Sequence, residues 1–209
     1  VPGKPRPDMF LEAAKELGIT PAEGFVIEDS LAGVKAARNG GFGLVVGLNR
    51  SEAKEAYLDL KKAGADIVFS DLLNTEAPRA LNHLEEIQER LYPPRPSLFF
   101  DYDGTLTPIV SHPKMAVLST DMARLLQKLS DQFSVTIVSG RDLSDIKNMV
   151  GLKGINYAGS HGLDIGFADN RNKEAEGAKE YLPDLDKAEE YLERNIKNIT
   201  GAFVERKKF

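Results

Sequence analysis

The chain has 209 residues, with 27 Lys and Arg against 32 Asp and Glu, and a formal net charge of −5. That acidic balance argues against nonspecific nucleic-acid binding, and no apolar run is long enough to span a bilayer. The absence of cysteine excludes disulfides, thiolate catalysis and cysteine-based metal sites, and three scattered histidines argue against a histidine-rich zinc site.

In chain order, Pro5 to Leu17 reads as an amphipathic helix, with Met9, Phe10, Ala13, Ala14 and Leu17 apolar and Gly18 ending it. Phe25-Val26-Ile27 is a short buried strand that stops at Glu28-Asp29-Ser30. A helix over Gly33–Asn39, closed by Gly40-Gly41, leads to a strand over Gly43–Gly47. A helix over Ser51–Lys62, a strand over Asp66–Phe69 and a charged helix over Pro78–Leu91 follow. Pro93, Pro94 and Pro96 then favour an extended spacer over residues 92–97. Beyond it come a strand over Leu98–Phe100, a helix over Thr120–Leu129, a strand over Ser134–Val138, a helix over Leu143–Met149 and a strand over Ile155–Tyr157. From about Gly159 the chain turns polar. A helix over Asp184–Ile199, with Leu185, Ala188, Leu192, Ile196 and Ile199 on one face, precedes a strand over Ala202–Arg206.

Strands alternating with helices define an α/β fold with parallel sheets covered on both faces. The proline-rich spacer divides it into two segments, 1–91 and 98–209, each an incomplete Rossmann-like unit, the second passing into an α/β cap at about residue 159. The first residue is not Met and the last lies just after a predicted strand. Both ends therefore read as cut, and adjoining domains of a longer tandem protein are expected.

The most informative stretch is Phe99-Phe-Asp101-Tyr-Asp103-Gly104-Thr105. Side chains at i and i+2 share a strand face, and two carboxylates at one strand end repel unless a cation or a proton intervenes. Mg²⁺ favours a few carboxylate oxygens together with substrate phosphate, so the pair points to Mg²⁺-dependent phosphoryl chemistry. Asp101 is the natural nucleophile, forming an acyl-phosphate, and Asp103 the general acid and base. Thr105 offers a hydroxyl and a backbone N–H to phosphate. A second buried strand ends in Ser139-Gly140-Arg141, where Ser139 and the amide of Gly140 suit a phosphoryl oxygen. In the first segment, Lys4 stands just before a helix and Glu28-Asp29 at a strand end. Lys4 can neutralise charge on nucleophile and phosphate, Asp29 can hold Mg²⁺, and Glu28 can support it through water. The metal-ligand candidates are thus Asp101, Asp103, Asp29 and Glu28.

These residues resemble the haloacid dehalogenase superfamily of phosphotransferases. Phe99-Phe-Asp101-Tyr-Asp103-Gly-Thr105-Leu-Thr-Pro108, with Ile137-Val-Ser139-Gly-Arg141-Asp142, resembles the trehalose-6-phosphate phosphatase family over residues 97–209. So do Tyr157-Ala-Gly-Ser-His161-Gly-Leu-Asp-Ile165 and Gly201-Ala-Phe-Val-Glu205-Arg-Lys207. The resemblance implies a cytoplasmic enzyme that releases phosphate from trehalose 6-phosphate, with Glu205 and Lys207 as sugar contacts in a closing cap. Arg141 and His161 join them as substrate or cap-hinge candidates. Residues 2–73, through Gly3-Lys4-Pro5-x-Pro7-Asp8, Glu28-Asp29-Ser30 and Ala32-Gly33-Val-Lys-Ala-Ala37, resemble the downstream part of a β-phosphoglucomutase-like hydrolase.

The motifs therefore run third and fourth, then first and second. The leading expectation is one domain's downstream part followed by another's upstream part, with neither site complete. A circularly permuted enzyme, in which Lys4 and Asp29 complete the site of Asp101, is the alternative on architecture. A sugar phosphomutase centred on the first segment, or a non-catalytic regulatory or assembly module, are the alternatives on function.

Overall fold

Short apolar runs supply the strands and amphipathic segments supply their covers. The computed structural model describes residues 3–51, 53–70 and 96–208. In order these form α1 (Asp8–Glu16), β1 (Gly24–Glu28), α2 (Leu31–Asn39), β2 (Leu44–Leu48), α3 (Lys54–Ala63), β3 (Ile67–Phe69), β4 (Ser97–Asp101), α4 (Thr120–Ser130), β5 (Ser134–Val138), α5 (Leu143–Val150), β6 (Asn156–Gly159), β7 (Asp164–Gly166), β8 (Asn172–Glu174) and α6 (Leu182–Ile196). The helix expected over Pro78–Leu91 and most of the proline-rich spacer lie outside the described residues.

All eight strands join one sheet, in the order β3-β2-β1-β4-β5-β6-β7-β8. It is parallel from β3 to β6, and β7 and β8 are added antiparallel. The α/β, Rossmann-like class expected from the sequence is the class observed. The separation into two sheets is not: β1 pairs directly with β4, in the register Phe25–Leu98, Val26–Phe99 and Ile27–Phe100. The physical reason lies in the strands themselves. Both are buried on both faces apart from half-buried Leu98, and a continuous apolar strand accepts a parallel neighbour on either edge.

Alternation along the strands sorts the core into two layers. On one face Val26, Val45, Phe99 and Val138 pack with Met9 and Phe10 of α1 and Val34 of α2. On the other, Phe25, Ile27, Leu44, Val46, Phe100 and Ile137 pack with Leu126 of α4 and Ile146 of α5. An edge-to-face aromatic series, Phe10–Phe42 at 5.9 Å and Phe42–Phe99 at 5.5 Å between centroids, links the two segments. Such pairs add about 0.5–1.5 kcal/mol beyond area burial.

Three local expectations change. The polar stretch from about Gly159 holds two strands ahead of the last helix: β7 and β8 extend the sheet through residue 174. Residues 202–208 carry no strand; side chains and amides hold them instead, with Lys207 Nζ donating to Gly140 O at 2.9 Å, Lys208 N to the Asp142 carboxylate at 3.0 Å, Lys208 Nζ to Asp164 of β7 at 2.6 Å and Arg206 to Asp186 of α6 at 2.9 Å. The last helix stops at Ile196, with Leu192 46% and Ile199 58% exposed. Among the described residues, no helix is long and apolar enough to cross a membrane.

Candidate active site

The parallel strands aim their carboxyl ends at one edge, where ligands gather in open α/β sheets. β1 ends in Glu28 followed by Asp29, β4 ends in Asp101, and β5 runs into Ser139. Because Ile27 registers with Phe100 and Asp101 with Val138, all three strand ends stand side by side. Ligand oxygens of Glu28, Asp29 and Asp101 lie within 4.8 Å of one another.

Lys4, just before α1, reaches into this cluster. Its ammonium donates to Asp101 Oδ1 at 2.6 Å and also bonds Glu28 Oε1. Burial opposes the lysine's charge, but Asp101 and Glu28 outweigh it and raise its pKa, so Lys4 is a fixed cation. Glu28 is fully buried, and its second oxygen accepts from Ser30 N at 2.8 Å and Ser30 Oγ at 2.9 Å. Ser30 in turn caps α2 by accepting from Gly33 N. A Cβ on Gly33 would fall 2.0 Å from the Glu28 carboxylate, so only glycine lets α2 approach this closely.

Asp29 accepts from Thr105 Oγ1 at 3.2 Å. Gly104 has φ +97, and a Cβ there would meet Asp29 Oδ2 at 2.1 Å. The glycine after Asp-x-Asp thus serves two ends, turning the chain and admitting an acid from the other segment. Arg50, after β2, donates to the carbonyls of Gly104 and Thr105 and holds the same loop.

Negative charge at this edge exceeds what Lys4 offsets. Burial, then the neighbouring Glu28, pushes the Asp101 carboxyl well above the usual carboxylate range. Burial and Glu28 also push Asp29 up, against the Thr105 hydrogen bond. An all-oxygen donor set with surplus charge fits Mg²⁺. Asp29 and Asp101 have carboxylate oxygens to give, whereas the Glu28 oxygens are engaged by Lys4 and Ser30, which suits support from a distance.

Asp103 stands apart from this cluster. Arg141 grips it with both arms of the guanidinium, Nε to Oδ2 at 2.9 Å and Nη2 to Oδ1 at 2.7 Å. Asp103, Arg141, Glu205 and Lys207 help line a cavity of about 250 Å³. A second cavity of about 430 Å³ shares Pro113, Arg141 and Glu205 with it. Ser139 is buried beside Asp101's strand, its Oγ accepting from Arg141 N at 3.1 Å. The His161 ring lies against Gly140, where a Cβ would sit 2.7 Å from it. Burial, then Lys207 and Lys4, lower the His161 pKa, leaving a neutral imidazole beside the phosphate-binding candidates.

The structure thus brings Lys4, Glu28, Asp29, Asp101 and Thr105 together, whereas the motif order alone places Lys4 and Asp29 in a different domain from Asp101. Sequence reasoning missed Arg50 and the grip of Arg141 on Asp103. The only signal for Arg50 was a polar Asn49-Arg50-Ser51 turn at a strand's carboxyl end.

Carboxylates at the ends of adjacent parallel strands, a lysine bonded to the candidate nucleophile, and a hydroxyl one strand away form the arrangement that the haloacid dehalogenase resemblance leads one to expect. The family model for haloacid dehalogenase-like hydrolases matches residues 1–41. That for trehalose-phosphatases matches residues 99–209, and the chain belongs to the trehalose-phosphatase family. The trehalose-phosphate phosphatase of Mycobacterium ulcerans is 37% identical over 209 residues, covering 96% of this chain and 53% of that protein. A Mycobacterium tuberculosis protein described as an uncharacterized glycosyl hydrolase is 35% identical over 219 residues, covering 100% of this chain and 16% of its own length. The C-terminal domain of the Candida albicans trehalose-6-phosphate phosphatase is 30% identical in structural alignment, with TM-score 0.49, covering 63% of this chain and 44% of that one. The chain spans about half the length of the phosphatase relative.

Proposed function

We propose that the chain carries a Mg²⁺-dependent phosphatase site for trehalose 6-phosphate that works through an aspartyl-phosphate on Asp101. The observation carrying this reading is the contact of Lys4 with Asp101 inside the Glu28–Asp29–Asp101 cluster. It supports one site built from both segments.

Asp101 attacks phosphorus as the P–O bond to the sugar breaks, and the leaving oxygen takes a proton from Asp103. Water then gives a proton to Asp103 and attacks the phosphoryl group, breaking its bond to Asp101 and releasing inorganic phosphate. Lys4 holds Asp101 in place and offsets its charge. Thr105 and Ser139 hold phosphoryl oxygens, with the Gly140 amide beside them. Mg²⁺, held by Asp101 and Asp29 with Glu28 behind, would neutralise charge on the transferring group. The two cavities flanking Glu205 together fall within the roughly 300–1,000 Å³ of small-molecule sites and would receive the sugar, with Glu205, Lys207 and Arg141 at the wall and His161 at the loop behind Gly140.

A tandem arrangement, in which 1–91 and 98–209 belong to separate domains of a longer cytoplasmic protein, is favoured by two different family models matching the two segments. One assay separates the readings. Turnover of trehalose 6-phosphate by this chain with Mg²⁺, lost in both Asp29→Asn and Asp101→Asn, is the expected result for the composite site. Turnover found only in a longer protein and indifferent to Asp29 would overturn it. Transfer of phosphate between sugar hydroxyls, without release, would favour the mutase reading.

A further inference from the structure

Asp103 is the proton carrier in the reaction above, yet it stands outside the Glu28–Asp29–Asp101 cluster and 48% of its side chain is exposed. An exposed carboxylate on a turn samples several rotamers unless something holds it. Arg141 is that holder. Its side chain is only 10% exposed, and its guanidinium is itself fixed by Pro113 O at 2.8 Å, Asp145 Oδ2 at 3.2 Å and the Tyr102 ring at 5.6 Å. A buried arginine fixed on three sides presents a rigid fork, and a fork meeting both carboxylate oxygens sets the plane and direction of the acid. The pair opens onto the cavity shared with Glu205 and Lys207, where the departing sugar oxygen would lie. Each carboxylate oxygen keeps a second lone pair for that oxygen or for water.

We infer that Arg141 is a positioning residue that acts through Asp103, aiming it at the leaving oxygen in the first step and at water in the second. The inference rests on the phosphatase reading. Its signature is dependence on the leaving group, because an alkyl alcohol needs a proton as it departs and p-nitrophenolate does not.

The experiment compares the unaltered chain with Arg141→Ala, Arg141→Lys and Asp103→Asn on trehalose 6-phosphate and p-nitrophenyl phosphate, with Mg²⁺. Arg141→Ala is expected to lower kcat on trehalose 6-phosphate by roughly 10²-fold, the low end of general acid–base contributions. First-turnover release of p-nitrophenolate should change by less than about threefold, with acid-stable phosphoenzyme accumulating because water is no longer deprotonated. Arg141→Lys, which keeps the charge but loses the fork, should recover only part of the loss. In the Asp103→Asn background, Arg141→Ala should add little, since residues acting as one unit are not additive. Equal losses in the first-turnover rates of both substrates, or a further full loss in the double variant, would overturn the inference while leaving the phosphatase reading standing. An unaltered chain inactive on both substrates would overturn the two together.

Discussion

Glu28, Asp29 and Asp101 crowd around the Lys4 ammonium, and the raised pKa values of Asp29 and Asp101 carry a consequence for stability. A carboxyl whose folded pKa lies above its unfolded value of about 4 keeps its proton longer in the folded chain. Stability from that group is present at low pH and is lost as pH rises through the folded value. Without Mg²⁺ at neutral pH, Asp29→Asn should therefore stabilise the chain and raise its Tm. Added Mg²⁺ should raise the Tm of the unaltered chain and have less effect on the variant. Thermal melts with and without the ion check both statements, and a destabilised Asp29→Asn would contradict the charge argument. His161 has the opposite sign: its lowered pKa gives stability present above about 6.5 and lost as pH falls through the folded value. His161→Gln should flatten that acid limb of the stability profile. Gly104→Ala places a methyl against Asp29 at a backbone angle that favours glycine, and should abolish turnover more completely than it unfolds the chain, as activity and melting together would show.

At the scale of elements, apolar runs and caps were legible where one periodicity dominated. The strands around Val26, Val45 and Ile137, and the helices Leu31–Asn39 and Thr120–Ser130, fall close to where spacing put them. The short β7 and β8 were not legible. Their three-residue runs Asp164-Ile165-Gly166 and Asn172-Lys173-Glu174 have no β-rich composition, and the second is exposed or half-buried along its length. Pairing of β1 with β4 was illegible for a different reason. A strand buried on both faces states that it has two neighbours but not which, and the proline-rich stretch between them read as a boundary. Asp101, Asp103 and Ser139 were legible from local pattern, whereas the contact of Lys4 with Asp101 depends on that long-range pairing. The Phe42–Phe99 contact gives the pairing an energetic test. Phe99→Ala should cost about 3–5 kcal/mol and lower the stability of elements on both sides of β1–β4, as hydrogen exchange resolved by segment would reveal.

Over the whole molecule, a sheet continuous from β3 to β8 joins the two segments. A calorimetric scan of this chain should show one cooperative transition whose van't Hoff and calorimetric enthalpies agree. Two separable transitions, with Phe99→Ala shifting only one, would instead indicate segments that fold independently.

Pairing β1 with β4 also makes the chain divisible in a useful way. Parallel neighbours need no tight turn between them, and strand pairing and a shared core hold β1 against β4. Two polypeptides, one ending after β3 and one beginning before β4, would each hold part of the machinery: a lysine with two acids in the first, a nucleophile with its proton carrier in the second. Each should be silent alone. Mixed, they would form a two-component phosphatase whose signal reports their encounter, turning a strand contact into a sensor of proximity.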